Sequence, residues 1–262
     1  MPIIREVSEG FGADAQRYHR ARPGYPAALI EEITRSLPAA RRSVVDVGIG
    51  TGIAATLLRD AGLDVLGVEP DERMATLSRE AGFPVEVARI EDWDPAGRLF
   101  GAMTAAQAWH WVDPLAGAVK AASALAPGGL LAVFWNSFLP PAEVNAAIGA
   151  VYQRILPRVL PGAPAQGGGM PGPDGYRQLC DKAAGAMAAT GAFGPPRHWR
   201  FDWSRDYTTA QWLDAVQTFG GWGRIPAEGQ REILDGIGQA IDGVGGSFTM
   251  GYATVGVAVA RL

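Results

Sequence analysis

Short apolar runs alternate along the first half of the chain with segments whose apolar residues recur at helical spacing. The runs predict five strands, over residues 44–47, 63–68, 84–89, 100–106 and 130–135. The other segments predict helices from Ile53, over 72–81 and over 114–125, and Pro127–Gly129 predicts a turn before the fifth strand. Strands that alternate with helices favour a parallel sheet with right-handed crossovers.

The alternation loosens beyond Trp135. Helical spacing predicts helices over 140–160, 176–190, 211–219 and 228–241, with a Gly/Pro-rich loop over 161–174. Residues 198–203 alternate as a sixth strand would, and 248–260 have strong strand character. The regions outside the sheet are expected to form a cap over the carboxyl ends of the strands, where open α/β sheets bind ligands.

Composition restricts the class of protein. The chain has 262 residues, of which 48% are hydrophobic and 19% charged, as expected for a globular α/β domain with or without a cap. A net charge of −4 with scattered basic residues argues against nucleic acid as a partner. The single cysteine, Cys180, and three histidines predict neither an internal disulfide nor a metal cluster. Because the sequence shows no signal-peptide core and no membrane-length apolar run, we expect a cytoplasmic protein without a membrane partner.

The segment from Val44 to Gly52, Val-Val-Asp-Val-Gly-Ile-Gly-Thr-Gly, is the most informative for function. Three glycines at alternate positions allow a sharp turn and a close approach of the backbone to a ligand. The second strand ends in Glu69, a position from which an acid can hold ribose hydroxyls. The segment does not match a dinucleotide-binding fingerprint, because Ile53 stands where that motif requires glycine or alanine. It does not match a P-loop either, because no lysine lies nearby. A tight turn without a ligand is the alternative, which Glu69 disfavours.

The pattern Asp46-x-Gly48-x-Gly50-x-Gly52, with Glu69 after the next strand, resembles the motif of class I S-adenosylmethionine-dependent methyltransferases. Leu125-Ala-Pro-Gly-Gly129 is also similar to the start of the family's fifth strand. Tyr18-His-Arg-Ala-Arg22-Pro-Gly-Tyr25-Pro resembles a segment of the methyltransferase type 11, or trans-aconitate-methyltransferase-like, branch. The resemblance covers residues 10–137 well.

This resemblance implies a Rossmann-like α/β fold, in which helices sandwich a seven-stranded, mostly parallel sheet. The last strand would be antiparallel, and a helical cap would complete the fold. The expected segments are an N-terminal cap segment (1–39) and an S-adenosylmethionine-binding core (40–137). A cap or substrate-binding insertion (138–222) and a C-terminal completion of the sheet (223–262) follow.

The resemblance also implies which residues bind the cofactor: Tyr18, Arg22, Asp46, Gly48, Gly50, Thr51, Gly52, Glu69, Pro70, Met74, Ile90, Glu91 and Gln107. For Pro70 and Met74 the alternative is ordinary core packing, and for Tyr18 and Arg22 it is a surface helix. Family members often carry an acid where this chain has Arg89, so the acceptor for the adenine amino group is left open.

The segment Gln107-Ala-Trp-His-Trp-Val-Asp113 follows the fourth strand and is the second most informative. His110 is the candidate catalytic base, because an unperturbed imidazole titrates near neutral pH. Trp109, Trp111 and Tyr25 are candidates for substrate binding, since aromatic faces can stack a planar molecule. The alternative is that His110 forms a hydrogen bond within the loop while the tryptophans pack under the cap.

These features predict an S-adenosylmethionine-dependent methyltransferase that yields S-adenosylhomocysteine. The expected substrate is a small molecule methylated on a carboxylate or hydroxyl oxygen. N- or C-methylation, a non-catalytic cofactor-binding regulator and, less favoured because of Ile53, a Rossmann oxidoreductase are the alternatives. We expect a monomer or a homodimer.

Overall fold

The computed structural model describes residues 11–160 and 172–262. Most of the loop predicted over 161–174 lies outside the described residues, as do residues 1–10 of the predicted N-terminal cap segment.

Helices and strands alternate through the first half of the chain, as the pattern predicts. The helices are α1 (Ala15–Ala21), α2 (Ala27–Ser36), α3 (Ile53–Asp60), α4 (Glu72–Glu80), α5 (Pro114–Ala124), α6 (Ala142–Val159), α7 (Pro173–Ala189), α8 (Thr209–Val216) and α9 (Ala227–Asp242). The strands are β1 (Ser43–Val47), β2 (Asp64–Val68), β3 (Val85–Glu86), β4 (Phe100–Ala106), β5 (Leu125–Leu139), β6 (Arg197–Thr208) and β7 (Ser247–Ala260). Short 3₁₀ turns lie at Phe11–Asp14, Trp109–Trp111 and Trp222–Arg224.

The strands form one seven-stranded sheet in the order β3-β2-β1-β4-β5-β7-β6. β1 pairs in parallel with β2 and β4, β2 with β3, and β4 with β5. The last strand, β7, is antiparallel and lies between β5 and β6. The predicted Rossmann-like sheet, mostly parallel with an antiparallel last strand and flanked by helices, is confirmed.

Three strands differ by several residues from their predicted bounds, and one of them is β6, which extends to Thr208 rather than ending at Trp203. β3 keeps only Val85 and Glu86 of the six residues expected, and the chain leaves the sheet edge after them. β5 begins at Leu125 rather than Leu130, because the predicted Pro-Gly-Gly turn is a bulge inside the strand. Phe100 pairs with Leu125 and Ala102 with Leu130, so the intervening residues of β5 loop out of register.

The chain divides into two compact units. The first, called the sheet unit, comprises Gly24–Asn136, Pro173–Phe201 and Ala253–Leu262. The second, called the helical unit, contains the described residues of Met1–Pro23, Ser137–Gly172 and Asp202–Tyr252. The domain borders predicted from the sequence stay a prediction.

Within the sheet unit, alternate strand residues enter two separate apolar layers. Val45, Met103 and Leu131 pack in one layer with residues of α5 and α7. Val44 and Ala102 pack in the other layer with residues of α2 and α3. Both layers are needed because a parallel strand buries both of its faces. The carboxyl ends of β1, β2 and β4 therefore lie side by side at one edge of a sheet that is packed on both faces.

Within the helical unit, α6 and α9 pack along their length. Ile233, Ile237 and Ile241 recur every four residues on α9 and are fully buried. Each such side chain contributes about 1.5–3 kcal/mol through removal of apolar surface from water. A Cβ at Gly236 would lie 2.8 Å from the Val151 side chain, so glycine permits the close approach. Among the residues described, no helix combines the length and apolar character that a membrane crossing requires.

Candidate functional site

The three glycines after β1 form a tight turn with left-handed backbone. Their φ angles are +66° at Gly48, +58° at Gly50 and +83° at Gly52, a region that favours glycine because a Cβ is strained there. A Cβ at Gly48 would lie 2.6 Å from the Cβ of Ala108, and one at Gly52 would lie 3.1 Å from the Phe83 ring. At Gly50 the nearest atom would be a backbone oxygen at 3.9 Å. The turn is therefore closely packed on both sides of Gly50 and open at Gly50 itself.

Glu69 is held directly against this turn. One carboxylate oxygen accepts the Gly50 N–H at 2.9 Å, and the other accepts the Asp71 N–H at 3.0 Å. Burial raises the pKa of the Glu69 carboxyl, while the two backbone hydrogen bonds oppose that rise. Because an ionised carboxylate offers about four lone-pair directions, two remain for hydroxyl groups of a ligand. The prediction that Glu69 lies beside the glycine turn fits this geometry, and its contact with ribose stays a prediction.

Ser78 is a positioning residue that the sequence analysis missed. Its hydroxyl donates to the Gly50 carbonyl oxygen at 2.9 Å, so both polar backbone groups of Gly50 have side-chain partners. Ser78 is fully buried on α4 together with Met74 and Ala75. A polar residue on the apolar face of an amphipathic helix was the signal that could have revealed it.

Asp46 lies beneath the turn, in the middle of the sheet. It is 1% exposed and accepts a hydrogen bond from the Thr104 hydroxyl of the neighbouring strand at 2.7 Å. Burial raises the pKa of the Asp46 carboxyl to about 7, and the nearby Glu69 charge adds to the rise, whereas Thr104 opposes it. Thr51 is also buried. Asp46 and Thr51 are thus both buried next to the turn, and their direct contact with a cofactor stays a prediction.

The loop after β4 returns to the same edge of the sheet. Gln107 has a φ of +57°, rare for a residue other than glycine, and its N–H donates to the Phe134 carbonyl at 2.9 Å. Its side-chain amide donates to the Asn136 carbonyl at 3.2 Å. The Asn136 side chain in turn donates to the Gly24 carbonyl at 2.8 Å, and the next residue, Tyr25, packs edge-on against Phe134 at 5.1 Å. The network joins Gln107 and Tyr25 through Phe134 and Asn136 of β5.

His110 is held in a single orientation by Trp135. The Trp135 indole N–H donates to His110 Nδ1 at 3.1 Å, which makes Nδ1 an acceptor and assigns the ring proton of neutral His110 to Nε2. Burial of the ring lowers the pKa of His110 to about 4. His110 can therefore donate from Nε2, but neither nitrogen is free to take a proton. This geometry disfavours His110 as a catalytic base, because the lone pair that a base requires is already engaged, and the role of His110 stays a prediction.

The two tryptophans beside His110 have different surroundings. Trp109 is 3% exposed and packs in the core, where the lack of a side chain at Gly117 admits its ring. Trp111 is partly exposed and its ring lies 4.5 Å from that of His110. Trp111 can thus offer a face to a ligand, whereas the predicted substrate contact of Trp109 gains no support from its buried position.

The residues predicted around the adenine ring divide between core and surface. Met74 and Ile90 are buried at 5% and 3% exposure, and Pro70 is exposed. Glu91 accepts the Asp113 N–H at 2.9 Å and pairs with Arg89, so it ties the loop after β3 to the loop after β4. Contacts of these residues with adenine stay predictions.

Tyr18 and Arg22 belong to the helical unit. The Arg22 guanidinium lies over the Tyr18 ring, 4.9 Å from its centroid, and donates to the Thr218 carbonyl at 2.7 Å. The exposed-helix alternative therefore does not describe Arg22, which is partly buried. That either residue closes over the cofactor stays a prediction.

Comparisons with known proteins agree with this geometry. A family described as a methyltransferase domain matches residues 18–141. An uncharacterized methyltransferase of Mycobacterium tuberculosis is 40% identical over 136 residues, which are 51% of this chain and 54% of that protein. The chain thus spans about half the length of this curated relative.

Solved structures share the fold. A protein provisionally described as a type II methyltransferase from Anaeromyxobacter dehalogenans superposes with a TM-score of 0.64 at 22% identity, over 92% of this chain and 97% of that chain. The YcgJ protein of Bacillus subtilis superposes with a TM-score of 0.50 at 14% identity, over 90% of this chain and 97% of that chain. Together with the glycine turn and the acid beside it, these matches show a methyltransferase domain over residues 18–141, and the solved structures share its fold.

Proposed function

We propose that this chain transfers the methyl group of S-adenosylmethionine to an oxygen atom of a small molecule. The preferred acceptor is a carboxylate, and a hydroxyl is the second candidate. The observation that carries the proposal is the glycine turn, open at Gly50 and lined there by the Glu69 carboxylate. A nucleoside with free ribose hydroxyls fits that pair, because the hydroxyls can donate to the carboxylate and the backbone can be approached closely.

The bound cofactor would supply an activated methyl group on a sulfonium, and the remaining task of the protein is to hold donor and acceptor in line. The Gly48–Gly52 turn and Glu69 would hold the nucleoside part. His110, next to the turn through the contact of Ala108 with Gly48, would orient the acceptor by donating from Nε2. Trp111 would contribute an aromatic face.

The hydrogen bonds of the titratable side chains near the site favour a methyl acceptor that needs no base to remove a proton. The Nδ1 lone pair of His110 is engaged by Trp135. The Asp113 carboxylate caps α5 by accepting the Leu115 and Ala116 N–H groups, and Glu91 accepts the Asp113 N–H. The titratable side chains of this loop are thus committed to structural bonds. A carboxylate is already ionised at neutral pH and can attack without losing a proton, whereas an amine or an alcohol requires deprotonation.

The test is transfer of label from methyl-labelled S-adenosylmethionine to matched acceptors. A panel pairs aryl and alkyl carboxylic acids with the corresponding alcohols, phenols and amines, and mass spectrometry identifies the atom methylated. Methyl esters are the expected products. Preferred methylation of the amines would overturn the oxygen assignment. Binding of S-adenosylhomocysteine without transfer to any class would favour a regulatory protein.

A structure with S-adenosylhomocysteine bound would complement this assay. The polarity of the side chains around its sulfur would show which acceptor classes fit. The cytoplasmic location and the monomeric or homodimeric state stay predictions.

A further inference from the structure

The helical unit contains a group of arginine and aromatic side chains, of which only Tyr18 and Arg22 were predicted to contact the cofactor. This arginine–aromatic cluster is defined by what surrounds Arg205 and Arg22, namely Tyr18, Trp203, Tyr207, Phe219 and Tyr252. The Arg205 guanidinium lies 4.7 Å from the centroid of the Tyr207 ring and donates to the Arg22 carbonyl at 3.2 Å. The Arg22 guanidinium lies over the Tyr18 and Phe219 rings at 4.9 and 5.0 Å.

Both positive charges act on one buried pair of phenols. The hydroxyls of Tyr207 and Tyr252 are 2.7 Å apart, and both residues are 1% exposed. Burial raises the pKa of the Tyr207 phenol, while the charges of Arg205 and Arg22 lower it. The same two arginines oppose the rise in the pKa of Tyr252. The cluster therefore places two guanidinium charges beside a buried pair of phenols.

The nearby acids point elsewhere or are paired. Arg205 shares its face of β6 with Trp203 and Tyr207, whereas Asp202 and Asp206 lie on the opposite face by strand alternation. Asp206 accepts from the Thr249 hydroxyl at 2.6 Å, and Asp214 is paired with Arg17 and Arg20.

Within residues 11–160 and 172–262, Arg205 therefore makes no ion pair, although its side chain is partly buried. Partial burial of an unneutralised cation is costly unless an anion joins it.

We propose that Arg205, with Arg22 beside it, binds the anionic group of an organic acid whose flat apolar part packs against the partly buried rings of Trp203 and Phe219. The planar guanidinium fork of Arg205 matches a carboxylate or a phosphate bidentately. Trp203 is fixed for such packing, because it stacks on Tyr252 with 4.4 Å between ring centroids. The inference concerns binding alone and does not rest on methyl transfer.

The test uses 1-naphthoate and 1-naphthyl phosphate as anionic probes and 1-naphthamide as the neutral probe. Binding is measured by calorimetry and by tryptophan fluorescence. Arg205→Gln should weaken the preferred anion about tenfold or more, as expected for loss of a charged hydrogen bond, and leave the amide unchanged. Arg205→Lys keeps the positive charge without the guanidinium fork, so its affinity for the anion should lie between those of the unmodified protein and Arg205→Gln. The anion that binds more tightly identifies the headgroup.

Arg231→Gln is the matched control, since Arg231 is exposed on α9 of the same unit. Its affinity for the anions should equal that of the unmodified protein. Equal anion affinity of Arg205→Gln and Arg231→Gln would overturn the proposal, as would failure of both anions to bind at millimolar concentration. Thermal unfolding and circular dichroism of each variant show whether it is folded. If Arg205→Gln is unfolded, the comparison of Arg205→Lys with Arg231→Lys decides in its place. If Arg205→Gln loses as much affinity for S-adenosylhomocysteine as for 1-naphthoate, Arg205 binds the cofactor rather than an organic acid. That result would contradict the proposal.

Discussion

Replacing Glu69 by glutamine tests whether this side chain binds the cofactor or only shapes the turn. The change keeps size and geometry but turns one acceptor oxygen into an NH₂ group. The Glu69 oxygens accept the Gly50 and Asp71 N–H groups at 2.9 and 3.0 Å, so the amide of Glu69→Gln can satisfy only one of them. The other N–H is left facing a donor in a buried place.

Two free energies should change. A buried N–H without an acceptor costs about 1–3 kcal/mol, so the free energy of unfolding of the unliganded protein should fall by that amount. If ribose hydroxyls donate to the carboxylate, S-adenosylhomocysteine should also bind about 1.5–3 kcal/mol more weakly, which is roughly a 10- to 150-fold rise in Kd. The two effects are separable because only the second depends on the ligand.

Urea unfolding measures the first quantity and titration calorimetry the second. Glu80→Gln is the matched control, since Glu80 is exposed at the end of α4, and both of its values should equal those of the unmodified protein. A Glu69→Gln protein that loses stability yet binds S-adenosylhomocysteine with unchanged affinity would refute the ribose assignment. Glu69 would then be a structural support of the turn.

Three further outcomes follow from the same edge of the sheet. Burial raises the pKa of Asp46 from its ordinary 3.8 to about 7, so the folded protein holds this proton more tightly than the unfolded chain does. The free energy of unfolding should therefore fall as pH rises from about 4 to 7, by at most about 4 kcal/mol. In Asp46→Asn, the urea unfolding midpoint should depend less on pH over that range. The same pH dependence in both proteins would contradict the argument that burial raises the pKa of Asp46. The transfer rate should show no limb near the imidazole pKa, and His110→Ala should cost less than the 10²–10⁴-fold typical of a lost base; a limb near pH 6.5 that vanishes in His110→Ala would restore the base. Gly48→Ala should destabilise the fold, because its Cβ would lie 2.6 Å from that of Ala108, whereas Gly50→Ala should chiefly weaken binding of S-adenosylhomocysteine; the opposite ranking would count against the open face at Gly50.

Local pattern was sufficient for most of the sheet. β4 runs over Phe100–Ala106 as predicted, because a continuous apolar run buried on both faces has few alternatives. The predicted bounds of β5 were wrong, because a Pro-Gly-Gly sequence is typical of a turn. In the structure, pairing with β4 on both sides of this sequence makes it a bulge within the strand. α2 was not predicted as a helix, although Leu29, Ile30 and Ile33 have helical spacing and are buried.

The candidate site was predictable only where its residues are close in sequence or match a motif. The glycines and Glu69 are brought together as expected. The role of His110 was not predictable, because its partner Trp135 lies on another strand and fixes a proton position that no sequence pattern encodes. The burial of Trp109 was unpredictable for a similar reason, because it depends on the space that Gly117 leaves on α5.

The most direct test of the central claim is titration calorimetry of the unmodified protein with S-adenosylmethionine, S-adenosylhomocysteine, NAD and NADP. The open glycine turn and the buried Glu69 predict that the first two bind at one site and displace each other, whereas the dinucleotides do not bind. The dinucleotides should fail because Ile53 occupies the position at which their fingerprint requires glycine or alanine. Tight binding of NAD or NADP, or no heat with S-adenosylhomocysteine, would contradict the account.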